Sequence, residues 1–333
     1  MEKRIVPWVD PFSGEELIQE NNQLIGKSSK YIIKNGIPNF VIKLKDPHQI
    51  QVKQTFGYKW NRTDFGQNKE FFDKNIKSVY LDMLGLSESD LSIFDNKIVL
   101  DVGVGSGSSA RLWGTHAKEF HGIDISDAVY KAPNSLKLEN INSFFAQADL
   151  NSLPYPDESF DVIVSNGVLH HTKSTKVALQ NIIKKLKNRG LCLFYIYKKK
   201  SPLREYSDDY IRSKISDLPA DVAWKSLESL TTFAQEISRQ KITVKISKDL
   251  DLLGIKKGEY NLQRFLYQFF FKCFWNEQWG FEDSNMVNFD WYYPKYSWRQ
   301  TEEEIKNWCK EFKLKIQYIV EKDSGYTCLV QKL

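Results

Sequence analysis

Three glycines at alternate positions follow a short apolar run in the segment "IVLDVGVGSG". The glycines are Gly103, Gly105 and Gly107, and Asp101 interrupts the apolar run two residues before the first of them. Glycine admits positive φ angles and lets a ligand approach the backbone, so the segment predicts a nucleotide-binding turn between a strand and a helix. A dinucleotide fingerprint has the spacing GxGxxG, but here the third glycine comes one residue early and Ser108 stands in its place.

Two carboxylates narrow the choice of nucleotide. Asp101 would repel a pyrophosphate, and a buried carboxylate needs donors, so this position favours a ligand with a cationic amino group near the loop. Asp124 ends the next apolar segment, "GIDIS", 17 residues after Gly107. An acidic side chain at the end of that strand can accept hydrogen bonds from both ribose hydroxyls. Asp101 therefore disfavours NAD, whereas an acidic residue at the position of Asp124 also occurs in dinucleotide-binding folds.

The loop and the segments after it resemble the class I S-adenosylmethionine-dependent methyltransferases. "VLDVGVGSG" is similar to that family's first motif, hhDhGxGxG, and "GIDIS" to its second strand. "AQADLNSLPYPDESFDVIVSNGVLHHT" matches the third and fourth motifs, and "LKNRGLCLFYIY" the turn and fifth strand. The resemblance covers roughly residues 68–200 and 310–333. It implies S-adenosyl-L-methionine as cofactor and S-adenosyl-L-homocysteine as product.

The same resemblance implies which residues contact the cofactor. Asp149 should contact the adenine amino group, and Leu150 should supply a backbone amide. Asn166 and Gly167 should lie near the methionine part and the methyl group. The full set of predicted cofactor-binding residues is Asp101, Gly103, Gly105, Gly107, Asp124, Ile125, Asp149, Leu150, Asn166 and Gly167.

His170 and His171 are the acid–base candidates because they follow the fourth strand of the resembling segment by a few residues. A sulfonium donor is already activated, so the enzyme chiefly has to align nucleophile, methyl and sulfur. A base is needed only where the acceptor has a proton to lose, and imidazole suits that task. Alternatively, one of the two histidines bonds to the backbone and orders the loop. Both interpretations stay open.

The pattern around these residues predicts the fold. From residue 97, short apolar runs alternate with amphipathic segments, which indicates βαβ units. The predicted fold is α/β: a Rossmann-like, mostly parallel seven-stranded sheet with helices on both faces and a terminal antiparallel hairpin. Residues 68–94 and Ser108–Lys118 are predicted to be helical.

The first 45 residues predict a small β module, followed by a polar, irregular linker and possible lid at 46–67. "GIPNFV" after a short hairpin resembles the zinc-ribbon-like Trm112 type of module that precedes some bacterial methyltransferases. "PWVDPFSGEEL" has Asp10 and Ser13 where a CxxC would stand, so no metal is expected. In the linker, Tyr58, Trp60 and Arg62 are candidate substrate contacts.

A helical, aromatic-rich segment at 201–309 interrupts the predicted fold between its fifth strand and its terminal hairpin. Insertions at this point are natural substrate lids. The aromatic run from Phe265 to Phe281 is either the core of the insertion or the lining of an acceptor pocket. Arg204, Trp291 and Tyr292 are the candidate substrate residues here. Basic residues after Tyr197 either form a solvated face or pair with an acidic group of the acceptor.

Composition excludes several classes of protein. The net charge of +5, from 47 Lys and Arg against 42 Asp and Glu, is too small for a dedicated nucleic-acid binder. No run of 18 apolar residues and no secretory signal is present, so no membrane span is expected and the location is predicted to be cytoplasmic. The four cysteines lack a CxxC pair, and free buried thiols are expected. The pattern indicates no particular oligomeric state.

The leading hypothesis is methyl transfer to O or N of a small molecule, in specialised-metabolite or cell-surface glycan biosynthesis. One alternative is another transfer from S-adenosylmethionine, and a second is a catalytically silent scaffold that binds the cofactor. A nucleic-acid methyltransferase is disfavoured because the fourth strand ends in "SNGVLHH" rather than the "NPPY" type that holds a flipped base.

Overall fold

The computed structural model describes residues 4–42, 44–62, 68–136 and 142–333, apart from the side chain of Ser135. The chain divides into two units: unit 1 comprises Met1–Tyr197 and Gln300–Leu333, and unit 2 comprises Lys198–Arg299. Parts of the predicted module, linker and helix at 127–139, and the first residue of the predicted strand "INSFFAQAD", lie outside the described residues.

The strands are β1 (Ile18–Glu20), β2 (Gln23–Ile25), β3 (Lys30–Lys34), β4 (Ile37–Pro38), β5 (Ile98–Val102), β6 (Glu119–Asp124), β7 (Asn142–Gln147), β8 (Phe160–Asn166), β9 (Leu186–Tyr197), β10 (Thr243–Ile246), β11 (Gly258–Asn261), β12 (Leu314–Glu321) and β13 (Gly325–Lys332). The helices are α1 (Pro47–Arg62), α2 (Lys69–Asn75), α3 (Lys77–Leu84), α4 (Arg111–Gly114), α5 (Ala132–Leu136), α6 (Thr175–Lys185), α7 (Pro202–Ile215), α8 (Ala220–Arg239), α9 (Leu262–Phe269), α10 (Gly280–Tyr292) and α11 (Glu302–Glu311). Short 3-10 turns occupy Ser89–Phe94, Asp127–Tyr130, Leu169–His171 and Asp251–Leu253.

Unit 1 is built on a seven-stranded sheet of order β12-β13-β9-β8-β5-β6-β7. The pairs among β5 to β9 are parallel, and β13 pairs antiparallel with both β9 and β12. The predicted fold class is therefore confirmed, including the terminal hairpin. The chain order reverses at β5, which lies between β6 and β8, and ligands bind at such a switch point in open α/β sheets.

Burial explains why the central strands are so apolar. Every residue of β5 and β6 is buried, since helices cover both faces of a parallel sheet. α6 shows the matching helical pattern, with Ala178, Leu179 and Ile182 fully buried at three- and four-residue spacing. Its first turn is capped by Ser174, whose hydroxyl accepts the amide of Val177.

The N-terminal module is a four-stranded antiparallel sheet, as predicted. Asp10 holds its first turn, because its carboxylate accepts the amides of Phe12 and Ser13 at 2.8 Å and the hydroxyl of Tyr31 at 2.8 Å. These bonds lower the pKa of Asp10 despite its burial. A carboxylate thus joins this turn to β3. Within the described ranges, no His, Cys, Asp and Glu group could hold a metal ion.

Two segments differ from prediction. Most of the predicted irregular linker is α1, which begins at Pro47 after Asp46 accepts the amide of His48. Its apolar periodicity is weak because its buried face includes polar side chains. The single helix predicted at 68–94 is divided, since Gly85 ends α3 with a left-handed φ of 64°.

The boundaries of the insertion also differ from the predicted range of 201–309, because unit 2 is Lys198–Arg299. Residues 302–311 form α11, whose Ile305 and Cys309 are buried in the core of unit 1. The backbone amide of Gln300 donates to the carbonyl of Tyr197 at 2.9 Å, so the chain returns to unit 1 where it left. Unit 2 contains α7 to α10, as the helical prediction expects, and also the unpredicted hairpin β10–β11.

The four cysteines are free and buried, as expected. Over the described part of the chain, no helix is long and apolar enough to cross a membrane.

Candidate active site

The glycine loop is bonded to the end of β6. The amides of Gly103 and Val104 both donate to the carbonyl of Ile123 at 2.8 Å. Gly103 and Gly107 adopt φ angles of +85° and +90°, which favour glycine. A Cβ on Gly103 would lie 2.1 Å from a methyl carbon of Val168. The loop is therefore packed so closely that only glycine fits at its first position.

Asp124 is oriented by the loop. Its Oδ2 accepts the amide of Gly105 at 2.9 Å, and its Oδ1 accepts the amide and hydroxyl of Ser126 at 2.8 and 2.7 Å. Burial raises the pKa of Asp124, and these hydrogen bonds oppose that rise. A carboxylate has about four acceptor positions, so Oδ2 retains capacity for a further donor.

Asp101 is a buried carboxylate with few donors. It is 1% exposed, and the indole Nε1 of Trp113 donates to it at 3.0 Å. Burial raises the pKa of Asp101 to about 7, and the negative charge of Asp124 adds to the rise. A cationic ligand group beside this carboxylate would supply the charge that burial removes. The expected preference for an amino group therefore has a physical basis here.

The predicted adenine contacts lie after β6 and β7. Asp149 Oδ1 accepts the amide and side-chain nitrogen of Asn151, both at 2.9 Å, and burial raises the pKa of Asp149. One of its two oxygens thus holds the turn that follows. Leu150 is buried, and the carbonyl of Ile125 accepts Nε2 of Gln147 at 3.1 Å.

Asn166 and Gly167 lie at the carboxyl end of β8, next to the end of β9. Asn166 pairs with Tyr195, and the amide of Gly167 donates to the Tyr195 carbonyl at 3.2 Å. Gly167 has a φ of +78°, and a Cβ built on it would meet no atom within 4 Å. Open space therefore adjoins the backbone where the resemblance predicts the methyl group.

The two histidines form a buried aromatic group with the end of β9. Nδ1 of His170 accepts the amide of Tyr197 at 3.4 Å, and the two rings stack with centroids 3.7 Å apart. The ring of His171 lies 4.3 Å from that of His170 and 4.9 Å from Phe56 of α1. A neutral imidazole whose Nδ1 accepts a hydrogen bond carries its proton on Nε2.

Helix α1 covers the glycine loop. A Cβ on Gly105 would lie 2.9 Å from the indole Nε1 of Trp60, and one on Gly57 would lie 2.8 Å from Asp127. The ammonium of Lys59 lies 4.3 Å from the centroid of the Trp60 ring. The segment predicted as a linker is thus the roof of the loop. It places Trp60, one of the predicted substrate residues, directly on it.

A cavity of about 760 Å³ lies beside this roof, between the N-terminal module and the turn after β6. Tyr58 and Arg62, the other two predicted substrate residues of this segment, line it. The cavity is also lined by Lys53, Tyr130 and Gln147, which sequence reasoning missed. Two sequence features could have pointed to them: the helical register of α1, and the position of Tyr130 six residues after Asp124.

In unit 2, the predicted substrate residues Arg204, Trp291 and Tyr292 converge on Asp208. Its carboxylate accepts Nε of Arg204 at 2.6 Å, the indole Nε1 of Trp291 at 2.8 Å and the Tyr292 hydroxyl at 2.7 Å. All four side chains are fully buried. Sequence reasoning missed Asp208, although its position four residues after Arg204 puts both on one helix face.

Comparison with known proteins identifies the central segment. Residues 100–194 match the family model described as "Methyltransferase domain". The chain is 29% identical over 132 residues to the uncharacterized methyltransferase YcgJ of Bacillus subtilis (strain 168), covering 39% of this chain and 52% of that protein. It is 28% identical over 151 residues to phosphoethanolamine N-methyltransferase of Plasmodium falciparum (isolate 3D7), covering 40% and 56%. It thus spans about half the length of these curated relatives.

Two solved structures are similar at low sequence identity. Magnesium protoporphyrin IX methyltransferase from Synechocystis PCC 6803 with bound SAM is 12% identical, with a TM-score of 0.47 over 87% of this chain and 100% of that one. N-methyltransferase NodS from Bradyrhizobium japonicum WM9 with S-adenosyl-L-homocysteine is 13% identical, with a TM-score of 0.45 over 85% and 98%. The match to the family model is confined to residues 100–194 of this chain.

The contact between Trp60 and Gly105 predicts a coupling between two substitutions. Gly105→Ala should cost about 2–4 kcal/mol in the free energy of unfolding, from the positive φ and the contact with the indole. In a Trp60→Ala background only the φ penalty, about 1–2 kcal/mol, should remain. Urea unfolding of the four proteins measures this.

Gly167→Ala is the matched control, because Gly167 has a positive φ and no neighbour within 4 Å of a Cβ. It should cost the same with and without Trp60. An equal cost of Gly105→Ala in both backgrounds would show that α1 does not lie on the loop.

Proposed function

We propose that this protein transfers a methyl group from S-adenosyl-L-methionine to O or N of a small molecule. The proposal rests mainly on the hydrogen bond that joins the loop after β5 to the end of β6. In it, the Gly105 amide orients the Asp124 carboxylate beside a loop where glycine is required. The methyltransferase domain match over 100–194 supports it. Two carboxylates at this switch point suit a ligand with a ribose and an ammonium, and disfavour a pyrophosphate.

The residues at the sheet edge fit such a cofactor. Asp101, whose pKa is raised by burial, would hold the amino group, and Asp124 a ribose hydroxyl through Oδ2. Asp149, with Leu150 and Ile125, would contact the adenine, and Asn166 and Gly167 the methionine part. When bound, the cofactor supplies a methyl group on a positively charged sulfur. The protein's task is then to align the acceptor with it and exclude water.

His170 is proposed as a positioning residue rather than a base. Its Nδ1 accepts the Tyr197 amide, which leaves Nε2 protonated in the neutral ring and therefore a donor. The bond ties the turn after β8 to the end of β9, and so fixes the backbone at Asn166 and Gly167. His171 contacts Phe56 of α1 and links this turn to the roof. An acceptor that loses a proton could pass it to water.

The remaining assignments are proposals from the sequence. The N-terminal module is proposed to be a metal-free relative of the Trm112 type, with Asp10 bonding the turn that cysteines would otherwise bind. Unit 2 is proposed as the substrate lid, and the pathway as specialised-metabolite or cell-surface glycan biosynthesis. The cytoplasmic location stays a prediction. The scaffold alternative is disfavoured because the glycines and carboxylates of the site are all present, and methyl release from labelled cofactor separates it from an enzyme.

Asp124→Ala should abolish binding of S-adenosyl-L-homocysteine, a loss of at least about 100-fold, because it removes a buried charge-assisted acceptor and frees the Gly105 amide. Calorimetric titration measures the affinity. Asp157→Ala is the control, since Asp157 lies in an exposed turn and pairs with Lys185 at 2.7 Å. Unchanged affinity in a folded Asp124→Ala protein would remove Asp124 from the site.

His170→Ala separates positioning from base catalysis. A positioning role predicts a fall in turnover of less than about 100-fold with an unchanged pH profile of kcat, whereas loss of a general base costs about 10²–10⁴-fold. Transfer from radiolabelled S-adenosyl-L-methionine to fractionated small metabolites measures the turnover. His116→Ala, at a half-buried ion pair with Asp95, is the control. A larger fall with loss of the acidic limb of the profile would identify His170 as the base.

A further inference from the structure

Three cationic side chains of unit 2 surround one indole ring. The ammonium nitrogens of Lys200 and Lys272 lie 6.0 and 4.6 Å from the Trp291 ring centroid, and the guanidinium carbon of Arg204 lies 5.4 Å from it. Arg204 and Trp291 are 0% exposed and Lys272 is 3% exposed, while Lys200 is partly exposed. Burial of cations is costly unless negative charge and hydrogen bonds compensate it.

The cluster includes the carboxylate of Asp208, and both of its oxygens accept hydrogen bonds. Oδ1 accepts the backbone amide of Lys272 at 3.0 Å and the hydroxyl of Tyr292 at 2.7 Å. Oδ2 accepts Nε of Arg204 at 2.6 Å and the indole of Trp291 at 2.8 Å. Four donors fill about four acceptor positions, so Asp208 has no capacity left for the rest of the guanidinium.

The other two nitrogens of Arg204 are the unpaired groups. Nη1 and Nη2 are buried and have no hydrogen-bond partner among the residues that the structure describes. The guanidinium faces the rings of Trp291 and Tyr267, at 5.4 and 5.2 Å. Aromatic faces favour the charge but do not satisfy N–H donors in the guanidinium plane. A planar pair of buried donors matches the two oxygens of a carboxylate or a phosphate.

The charges around Lys200 also favour a bound anion. Burial, together with the positive charges of Arg204, Lys198 and Lys272, lowers the pKa of this amine to about 6. Asp208 opposes the shift without reversing it. An added anion would reduce the repulsion among these cations and favour the protonated amine.

The cluster follows from the local sequence. α7 places Arg204 and Asp208 at i and i+4 on one face, and α10 supplies Trp291 and Tyr292. Lys200 is three residues after Tyr197, the last residue of β9.

We propose that Arg204, together with Lys200 and Lys272, binds an anionic group, a carboxylate or a phosphate, of the methyl acceptor. The assignment to the acceptor rests on the proposed function, and the binding of an anion does not. The two terminal nitrogens of Arg204 hold the anion as a bidentate pair, and Lys200 is the partly exposed cation of the group. The acceptor is accordingly an acidic small molecule rather than a neutral one.

Calorimetric titration of the 333-residue protein with inorganic phosphate and, separately, with acetate tests this at constant ionic strength in chloride. At least one of the two anions should bind. Arg204→Gln should weaken that binding at least about tenfold, the effect of losing a charge-assisted hydrogen bond. Arg239→Gln is the matched control, because Arg239 is an exposed arginine of the same unit, paired at 3.9 Å with Glu277. A preference for phosphate or for acetate identifies the acidic group.

Lys200→Met is the second variant, for use if Arg204→Gln does not fold. It should fold because the side chain of Lys200 is partly exposed and its backbone amide still donates to Glu205. It should weaken binding severalfold. Binding of neither anion, or equal affinity in all four proteins, overturns the anion site.

The anion titration is done without cofactor, so its result does not depend on cofactor binding. Failure of the anion site can therefore be distinguished from failure of the proposed function. A protein that binds S-adenosyl-L-homocysteine but neither anion loses this inference alone. A protein that binds the anion but not S-adenosyl-L-homocysteine keeps the anion site and loses the proposed function.

Discussion

The site depends on one hydrogen bond, from the amide of Gly105 to the carboxylate of Asp124 at 2.9 Å. It joins the loop after β5 to the end of β6, and it fixes both the path of the loop and the rotamer of the carboxylate. The positive φ angles of the loop are tolerated because glycine occupies those positions. This bond and the two amides on the Ile123 carbonyl then hold the loop in that path. A loop anchored in this way presents donors and acceptors that need little reorganisation when a ligand binds.

Two further sets of contacts surround this hydrogen-bonded loop. α1 lies over the loop through Trp60, and Phe56 of the same helix reaches His171. The histidines in turn tie the end of β8 to Tyr197, where unit 1 ends before the insertion. Packed rings thus connect the roof to the turn beside Gly167. This arrangement explains why one segment of low apolar periodicity matters for the site.

The sequence predicted those parts that depend on local pattern. Alternation of apolar runs and amphipathic segments predicted the sheet, and the glycine spacing with Asp101 and Asp124 predicted the loop. α1 was missed because its buried face carries Gln49, Thr55 and Lys59, so that no apolar stripe marks it. The hairpin β10–β11 was missed because its strands are short and largely exposed.

Side-chain environment was beyond prediction for a different reason. Arg204, Trp291 and Tyr292 could be named as polar or aromatic candidates. The contacts of Trp291 and Tyr292 with Asp208, however, are tertiary, at sequence separations of 83 and 84. Likewise, the unpaired nitrogens of Arg204 become visible only when the acceptors of Asp208 are counted. Burial and hydrogen-bond saturation decide the chemistry of such groups, and neither follows from spacing.

A crystal structure of the protein with S-adenosyl-L-homocysteine bound would test whether Asp101 and Asp124 hold the cofactor. We expect a ribose hydroxyl within hydrogen-bond distance of Asp124 Oδ2, and the ligand's ammonium beside the carboxylate of Asp101. A ligand bound elsewhere, for example in the cavity lined by Tyr58 and Arg62 with no contact to either carboxylate, would contradict it.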